Sequence, residues 1–286
     1  MAFMREALMQ LAAAVEPGDA VVGRLLTDYT PEELIRKTTL LSAGVAQRLR
    51  ECDLAQLVRD TEKCRATFLT AADEDWPEGF ATLGVLGPLG IWVRGDRQAL
   101  TLRAMSIVGS RTSTIYGEET AMSFASAFAA RGMAVVSGGA FGIDAAAHRG
   151  ALAVGGSTIV ILAGGVDQPY PRAHSSLFEK VEHQGCLVSE SPPGTLPMRH
   201  RFLVRNRMIA AWSRGTIVVE ARVRSGAIAT ASHAVALGRD VMAVPGPITS
   251  AASTGCHALI RDGAVLVTSP DEAIELVFGD LLHSRD

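Results

Sequence analysis

Cysteine is scarce in this 286-residue chain, four in all. Cys52, Cys64, Cys186 and Cys256 form no CxxC and have no histidine at zinc-ligand spacing, which excludes a disulfide framework and a structural zinc site. That usage belongs to a reducing compartment. Aromatic residues make up only 5% of positions, and charge of neither sign dominates, since 27 Lys+Arg against 30 Asp+Glu leave a net −3. Disordered and fibrous classes are excluded by this ordinary balance. A secretory leader is not legible either, because Arg5, Glu6, Glu16 and Asp19 interrupt the apolar residues of the first twenty positions. The uncharged run between Arg149 and Asp167 is too short and too rich in glycine to span a membrane. The expected location is the cytoplasm.

Reaction signatures are also missing. The sequence has no G-x-S-x-G elbow, no H-E-x-x-H, no P-loop GxxxxGK[ST], and its seven histidines show no metal pairing. Neither a catalytic residue, a metal nor a cofactor is expected. What is plentiful is glycine, 28 residues, as in chains that turn tightly between packed elements.

From about Phe3 to Cys64 apolar residues recur three and four apart (Leu8, Leu11, Ala12, Val15; Val45, Leu49), which predicts helices broken at Pro17-Gly18 and Ser42-Ala43-Gly44. Thr30-Pro31-Glu32-Glu33 reads as a helix start with a capping box. Residues 1–70 are thus expected to form a small helical domain. A Gly- and Pro-rich connector follows over 71–105, with one strand candidate at Ile91-Trp92-Val93. Over 106–286 short β-branched runs alternate with helical stretches: Ser106 to Gly109, Ala134 to Ser137, Thr158 to Leu162, Cys186 to Ser189, Thr216 to Val219, Val241 to Val244 and Val265 to Val267. Their apolar character is continuous, so both faces are buried and the sheet is parallel. The fold class is α/β, a Rossmann-like, doubly wound sheet.

Ligands of such sheets collect at the carboxyl ends of strands, where helix N-termini offer free N–H groups. The first strand ends in Gly109-Ser110-Arg111-Thr112, whose hydroxyls and guanidinium suit a phosphate. The second ends in Ser137-Gly138-Gly139-Ala140-Phe141-Gly142-Ile143-Asp144. It lacks the GxGxxG spacing, and no acid ends the next strand, which disfavours NAD. Asp144 reads as an N-terminal helix residue and His148 as a packing one. Ser225 and Gly226 stand at another helix start, with Thr230 one turn further on.

Between Ser191 and Arg239 one acid, Glu220, faces eight arginines: Arg199, Arg201, Arg205, Arg207, Arg214, Arg222, Arg224 and Arg239. So basic a segment in a chain of net −3 is the footprint of a polyanion site.

Val108-Gly109-Ser110-Arg111, the Ser137-to-Asp144 stretch with His148, Pro192-Pro193-Gly194, Phe202-x-x-Arg205-Asn206-Arg207, Val219-Glu220-Ala221, Ser225-Gly226 with Thr230, and Val244-Pro245-Gly246 together resemble the DNA-processing protein A (DprA, or Smf) family, in consistent order from about Trp76 to Ala273. The resemblance implies an extended Rossmann fold behind a small SAM-like helical domain. It implies a protein that binds single-stranded DNA, protects incoming strands in natural transformation, helps load a RecA-type recombinase and forms a homodimer. On that carry-over Gly109, Ser110, Arg111, Ser137, Gly138, Gly139, Arg199, Arg205, Asn206, Arg207, Ser225, Gly226 and Thr230 line the strand's phosphates, and Phe141 is the candidate for stacking on a base. His200-Arg201-Phe202 departs from the family's usual His-Phe pair. Many members carry a C-terminal winged helix, for which the residues after Asp271 are expected to leave no room in this sequence. The competing reading is a Rossmann-like nucleotide phosphoribohydrolase using Glu220 or Asp144, but its PGGxGTxxE hallmark is absent.

Overall fold

The computed structural model describes residues 2–282. Five helices come first: α1 (Ala2–Ala14), α2 (Ala20–Asp28), α3 (Pro31–Arg36), α4 (Ala43–Glu51) and α5 (Leu54–Lys63). Their starts are set by side chains that satisfy otherwise unpaired backbone N–H groups. Asp19, Thr30, Ser42 and Asp53 all cap in this way. At α3 the capping box is complete: Thr30 Oγ1 accepts from Glu33 N at 3.3 Å, and Glu33 Oε2 accepts from Thr30 N at 2.9 Å. Leu11, Val22, Leu34, Val45 and Leu49 meet in a core of their own.

The remaining elements alternate: β1 (Thr67–Leu69), β2 (Ile91–Gly95), β3 (Ala104–Val108), α6 (Ile115–Ala130), β4 (Ala134–Ser137), α7 (Ile143–Ala153), β5 (Thr158–Ile161), α8 (Ser175–Gln184), β6 (Cys186–Ser189), α9 (Arg199–Trp212), β7 (Gly215–Val218), α10 (Gly226–Ala236), β8 (Asp240–Ala243), α11 (Thr254–Arg261), β9 (Val265–Leu266) and α12 (Pro270–Leu282). The nine strands form one sheet in the order β1-β2-β6-β5-β4-β3-β7-β8-β9. β3 to β9 run parallel, while β2 pairs antiparallel with β6, and β1 with β2.

Period-two alternation sorts the strands onto two cores. In β3, Ala104 and Val108 face α9, α10 and α11, whereas Met105 and Ile107 face α6, α7 and α12. Phe128 of α6 is completely buried there, a contribution of about 1.5–3 kcal/mol for a side chain of this size. A third core joins the helical region to the sheet, with Met9 of α1 and Leu57 of α5 packing with Phe68, Trp92 and Leu187. The Trp92 indole N–H donates to Thr61 Oγ1 at 3.0 Å across that junction.

The connector contributes β2 to the sheet, and β1 lies within the first seventy residues. Three residues are too few to show a period, which is why β1 is silent in the sequence. β9 is shorter than expected and exposed, Val267 alone of that run being buried. Among the described residues no helix is long and apolar enough to cross a membrane, and no cluster of acids, histidines and cysteines could hold a metal.

Candidate nucleic-acid interface

The chain runs outward from β3 to β6 on one side, then returns to place β7 on the other side of β3. At such a reversal neighbouring loops diverge and leave a crevice beyond the strands' carboxyl ends. The crevice here is a cleft of about 440 Å³. The turn after β3 supplies Gly109, Ser110, Arg111 and Thr112; the turn after β7 supplies Arg222, Arg224, Ser225 and Gly226; α9 supplies Arg199, Phe202, Arg205 and Asn206. Five arginines face this space against one acid, Asp144.

The two turns are tied together. Ser110 N donates to Glu220 O at 2.6 Å, and the Glu220 carboxylate accepts from Thr114 N at 2.9 Å and Thr114 Oγ1 at 2.6 Å. Thr114 in turn caps α6, which begins at Ile115. Glu220 therefore braces a helix start, and at 2% exposure it offers no free carboxylate to the cleft.

The loop after β4 is shaped from below. Gly142 holds φ at +75°, and a Cβ there would overlap Ser110 O, so only glycine allows β3's turn to cross so closely. The Asp144 carboxylate accepts from Gly138 N at 3.2 Å and Ala140 N at 3.3 Å. Burial pushes its pKa up, while nearby Arg205 and these two amides pull it down.

Arg205 is the centrepiece of the buried layer. It is 6% exposed, and its Nη1 donates to Gly138 O at 2.9 Å and, by a shorter contact, to Ile161 O. Its Nε is buried without a partner among the described residues. Burial lowers its pKa to about 10, with Asp144 opposing and Arg111 adding to the shift. Two guanidiniums approach the Phe202 ring, with Arg111 Cζ 5.3 Å and Arg205 Cζ 5.9 Å from its centre. Aromatic faces attract cations at this range.

At the start of α10 the Ser225 hydroxyl is buried, lacks a partner among the described residues and makes no cap bond. A helix N-terminus with a spare hydroxyl is an anion-accepting arrangement. Asn206 Nδ2 donates to Gly226 O at 3.2 Å and fixes α10 against α9, Thr230 Oγ1 donates to the same oxygen within α10 at 3.2 Å, and both residues border the cleft.

Of the residues expected on phosphates, Gly109, Ser110, Arg111, Arg199, Arg205, Asn206, Ser225, Gly226 and Thr230 converge on this one cleft. Four do not. Ser137 is fully buried and donates Oγ to Ile107 O at 2.6 Å, since it closes a strand instead of opening a loop. Gly138 has its amide on Asp144, and Gly139 turns under the Phe178 ring. Arg207 projects from the other side of α9 and pairs with Glu190. Phe141 is half exposed but rests edge-on against His174, 4.6 Å between centroids, outside the cleft lining.

The cleft also takes in Thr112, Arg222 and Arg224, which the sequence marks as phosphate-friendly or basic but which the family resemblance does not place on phosphates, and Phe202, which carries no such signal. The signal for the two arginines was their position, Arg-x-Arg directly before Ser225-Gly226. Phe202 falls in the first turn of α9 because that helix starts at Arg199.

The fold and the cleft define a Rossmann-like protein with an electropositive site at its topological switch point. A family model described as DNA recombination-mediator protein A matches residues 67–278, and the chain belongs to that family. It is 49% identical over 222 residues to a protein named for DNA processing, DprA, of Mycobacterium tuberculosis H37Rv, covering 73% of this chain and 57% of the relative. It is 42% identical over 215 residues to Protein Smf of Escherichia coli K12, covering 74% and 57%. The chain thus spans a little over half the length of these curated relatives. Among solved structures, DNA processing protein A of Streptococcus pneumoniae superposes with a TM-score of 0.83 at 30% identity, over 94% of this chain and 96% of the other. DNA processing protein A of Helicobacter pylori, described for its single-stranded DNA binding mode, gives 0.67 at 26% identity, over 75% and 97%.

Proposed function

We propose that this protein binds single-stranded DNA in the switch-point cleft, without catalysis, as a cytoplasmic homodimer that protects incoming strands and helps load a RecA-type recombinase in transformation and recombination. The observation that carries the reading is the charge of the cleft: Arg111, Arg199, Arg205, Arg222 and Arg224 against Asp144. Guanidinium forks neutralise phosphates and release counterions, and the α10 start adds backbone N–H groups. None of these contacts reads a base, so binding is sequence-tolerant and salt-dependent. Phe202 is the aromatic face placed among them, and base stacking on it favours an unpaired strand over duplex. The single-stranded DNA binding described for the H. pylori relative supports the same choice.

A phosphoribohydrolase would need a free acid aimed into the cleft. Glu220 is engaged by Thr114 and Asp144 by two amides. Fluorescence anisotropy of labelled oligo-dT, titrated at several salt concentrations with duplex as competitor, tests the proposal. Tight, salt-sensitive binding that duplex does not displace is the expected result. Absence of binding at low salt, or equal competition by duplex, overturns it.

A further inference from the structure

A second group of arginines lies at the opposite end of the sheet. Arg103, Arg214 and Arg239 each stand one residue before a strand, β3, β7 and β8, and these strands are parallel neighbours. Gly215 is in register with both Met105 and Asp240, so the three arginines enter the sheet side by side along its amino-terminal edge. They line a cavity of about 430 Å³, large enough for a small ligand. Trp76, Trp212 and Phe278 supply aromatic walls, and Arg103 Cζ stands 5.9 Å from the Phe278 ring centre.

These charges are not paired at contact distance. None of the three arginines makes an ion pair among the described residues. Glu74 and Glu78 border the cavity but pair with none of them. The Arg239 Nε is buried and has no hydrogen-bond partner among the described residues. Its pKa is lowered first by burial and then by repulsion from Arg214. Leaving the buried Arg239 Nε without an acceptor costs stability, and an anion in the cavity would supply one while drawing on the neighbouring guanidiniums.

We propose that this cavity is a second, separate site for a nucleotide phosphate, with the arginines on the phosphate and the base against the Trp76 and Trp212 indoles. Arg103 and Gly109 are six residues apart along β3, roughly 20 Å at about 3.3 Å per residue, so one nucleotide cannot touch both this cavity and the cleft. The phosphate can come from a free nucleotide or from a strand that continues around the sheet.

Tryptophan fluorescence reads the site directly, because two of the three tryptophans line it and Trp92 is buried elsewhere. The probes are dTMP and oligo-dT, titrated against the wild type, Arg214→Ala, Arg239→Ala and Arg111→Ala. Saturable quenching by dTMP that is about tenfold weaker in Arg214→Ala and Arg239→Ala, and unchanged in Arg111→Ala, supports a free-nucleotide site. Quenching by oligo-dT alone that is about tenfold weaker in Arg214→Ala and Arg239→Ala supports the site and assigns its phosphate to the strand, Arg111→Ala then weakening the strand's hold on the cleft as well. Quenching by neither probe, or quenching that both variants retain, overturns the proposal. Arg214 is exposed, so Arg214→Ala decides the matter if Arg239→Ala does not fold.

Discussion

Arg207 and Glu190 form a buried ion pair: Nη2 of the arginine donates to both carboxylate oxygens at 2.7 Å, with the side chains only 4% and 9% exposed. The same guanidinium donates Nε to Leu86 O at 2.8 Å and packs under Gly18. Arg205, two residues earlier on α9, faces the cleft. A helix turns about 100° per residue, so two positions apart point to opposite sides. One basic run therefore serves two purposes, with Arg205 and Arg199 bordering the anion site and Arg207 clamping the helical region to the sheet.

That division separates stability from binding. Arg207→Ala strands the Glu190 carboxylate without its partner, and breaking a buried pair in this way costs about 3–5 kcal/mol. Urea unfolding of Arg207→Ala should show that loss. The salt slope of oligo-dT binding should stay at the wild-type value wherever the variant remains folded. A stable variant with a shallower slope would place Arg207 on the DNA.

Arg111, by contrast, is exposed at the cleft and has no ion-pair partner among the described residues. Arg111→Ala should weaken oligo-dT binding for every sequence alike and lower the slope of log K against log salt by about one, the counterion release of a single phosphate contact. Arg222→Ala with Arg224→Ala should lower it by about two. Anisotropy titrations across a salt series measure both, and unchanged slopes would remove these residues from the interface.

The parallel sheet was legible because its strands are continuously apolar, and the cleft because Ser, Gly and Arg recur directly after them. What stayed hidden was direction. Arg205 and Arg207 carry the same signal in the sequence, and only the rotation of α9 and the position of Glu190, outside the basic run, assign one to the cleft and one to the core. Ser137 misled for a related reason: a hydroxyl at the end of a strand is still in the ladder, and its nearest acceptor is Ile107 O on β3. β1 escaped because a three-residue strand has no period, and its pairing with β2 is settled by tertiary contact.

His148 is fully buried on α7, with Nδ1 2.7 Å from Thr158 Oγ1. The Thr158 hydroxyl donates to Val135 O at 2.8 Å, so the histidine must donate from Nδ1, and Nε2 has no partner among the described residues. Burial, helped by His174 and Arg205, lowers its pKa from 6.5 to about 3. The unfolded chain takes up this proton below pH 6.5 and the folded one does not, so stability falls as pH drops from 6.5 towards 3. The contribution approaches about 1.4 kcal/mol per pH unit. Unfolding free energies at pH 7, 6 and 5 for wild type and His148→Leu should differ in slope by about half of this between pH 7 and 6 and by nearly all of it between pH 6 and 5. Parallel curves would mean that His148 does not resist protonation.

Gly138 lies directly beneath the Arg205 guanidinium: a Cβ there would stand 2.5 Å from Nη2 and 2.7 Å from Cζ. A flexible arginine could retreat, but this one is held by Gly138 O and Ile161 O and walled by Phe202. Gly138→Ala should therefore cost about 1–3 kcal/mol, the usual range for forcing one carbon into a packed site, and should displace Arg205 from the cleft. Gly226→Ala is the matched control at the same cleft. Its Cβ would meet nothing closer than Asn206 Nδ2 at 3.9 Å, and the position opens α10, where alanine is tolerated. Thermal unfolding of the two variants should show a clear loss for Gly138→Ala and little change for Gly226→Ala. Equal stabilities would mean that the Arg205 side chain moves freely, and that the buried layer beneath the cleft is not fixed by the contacts described.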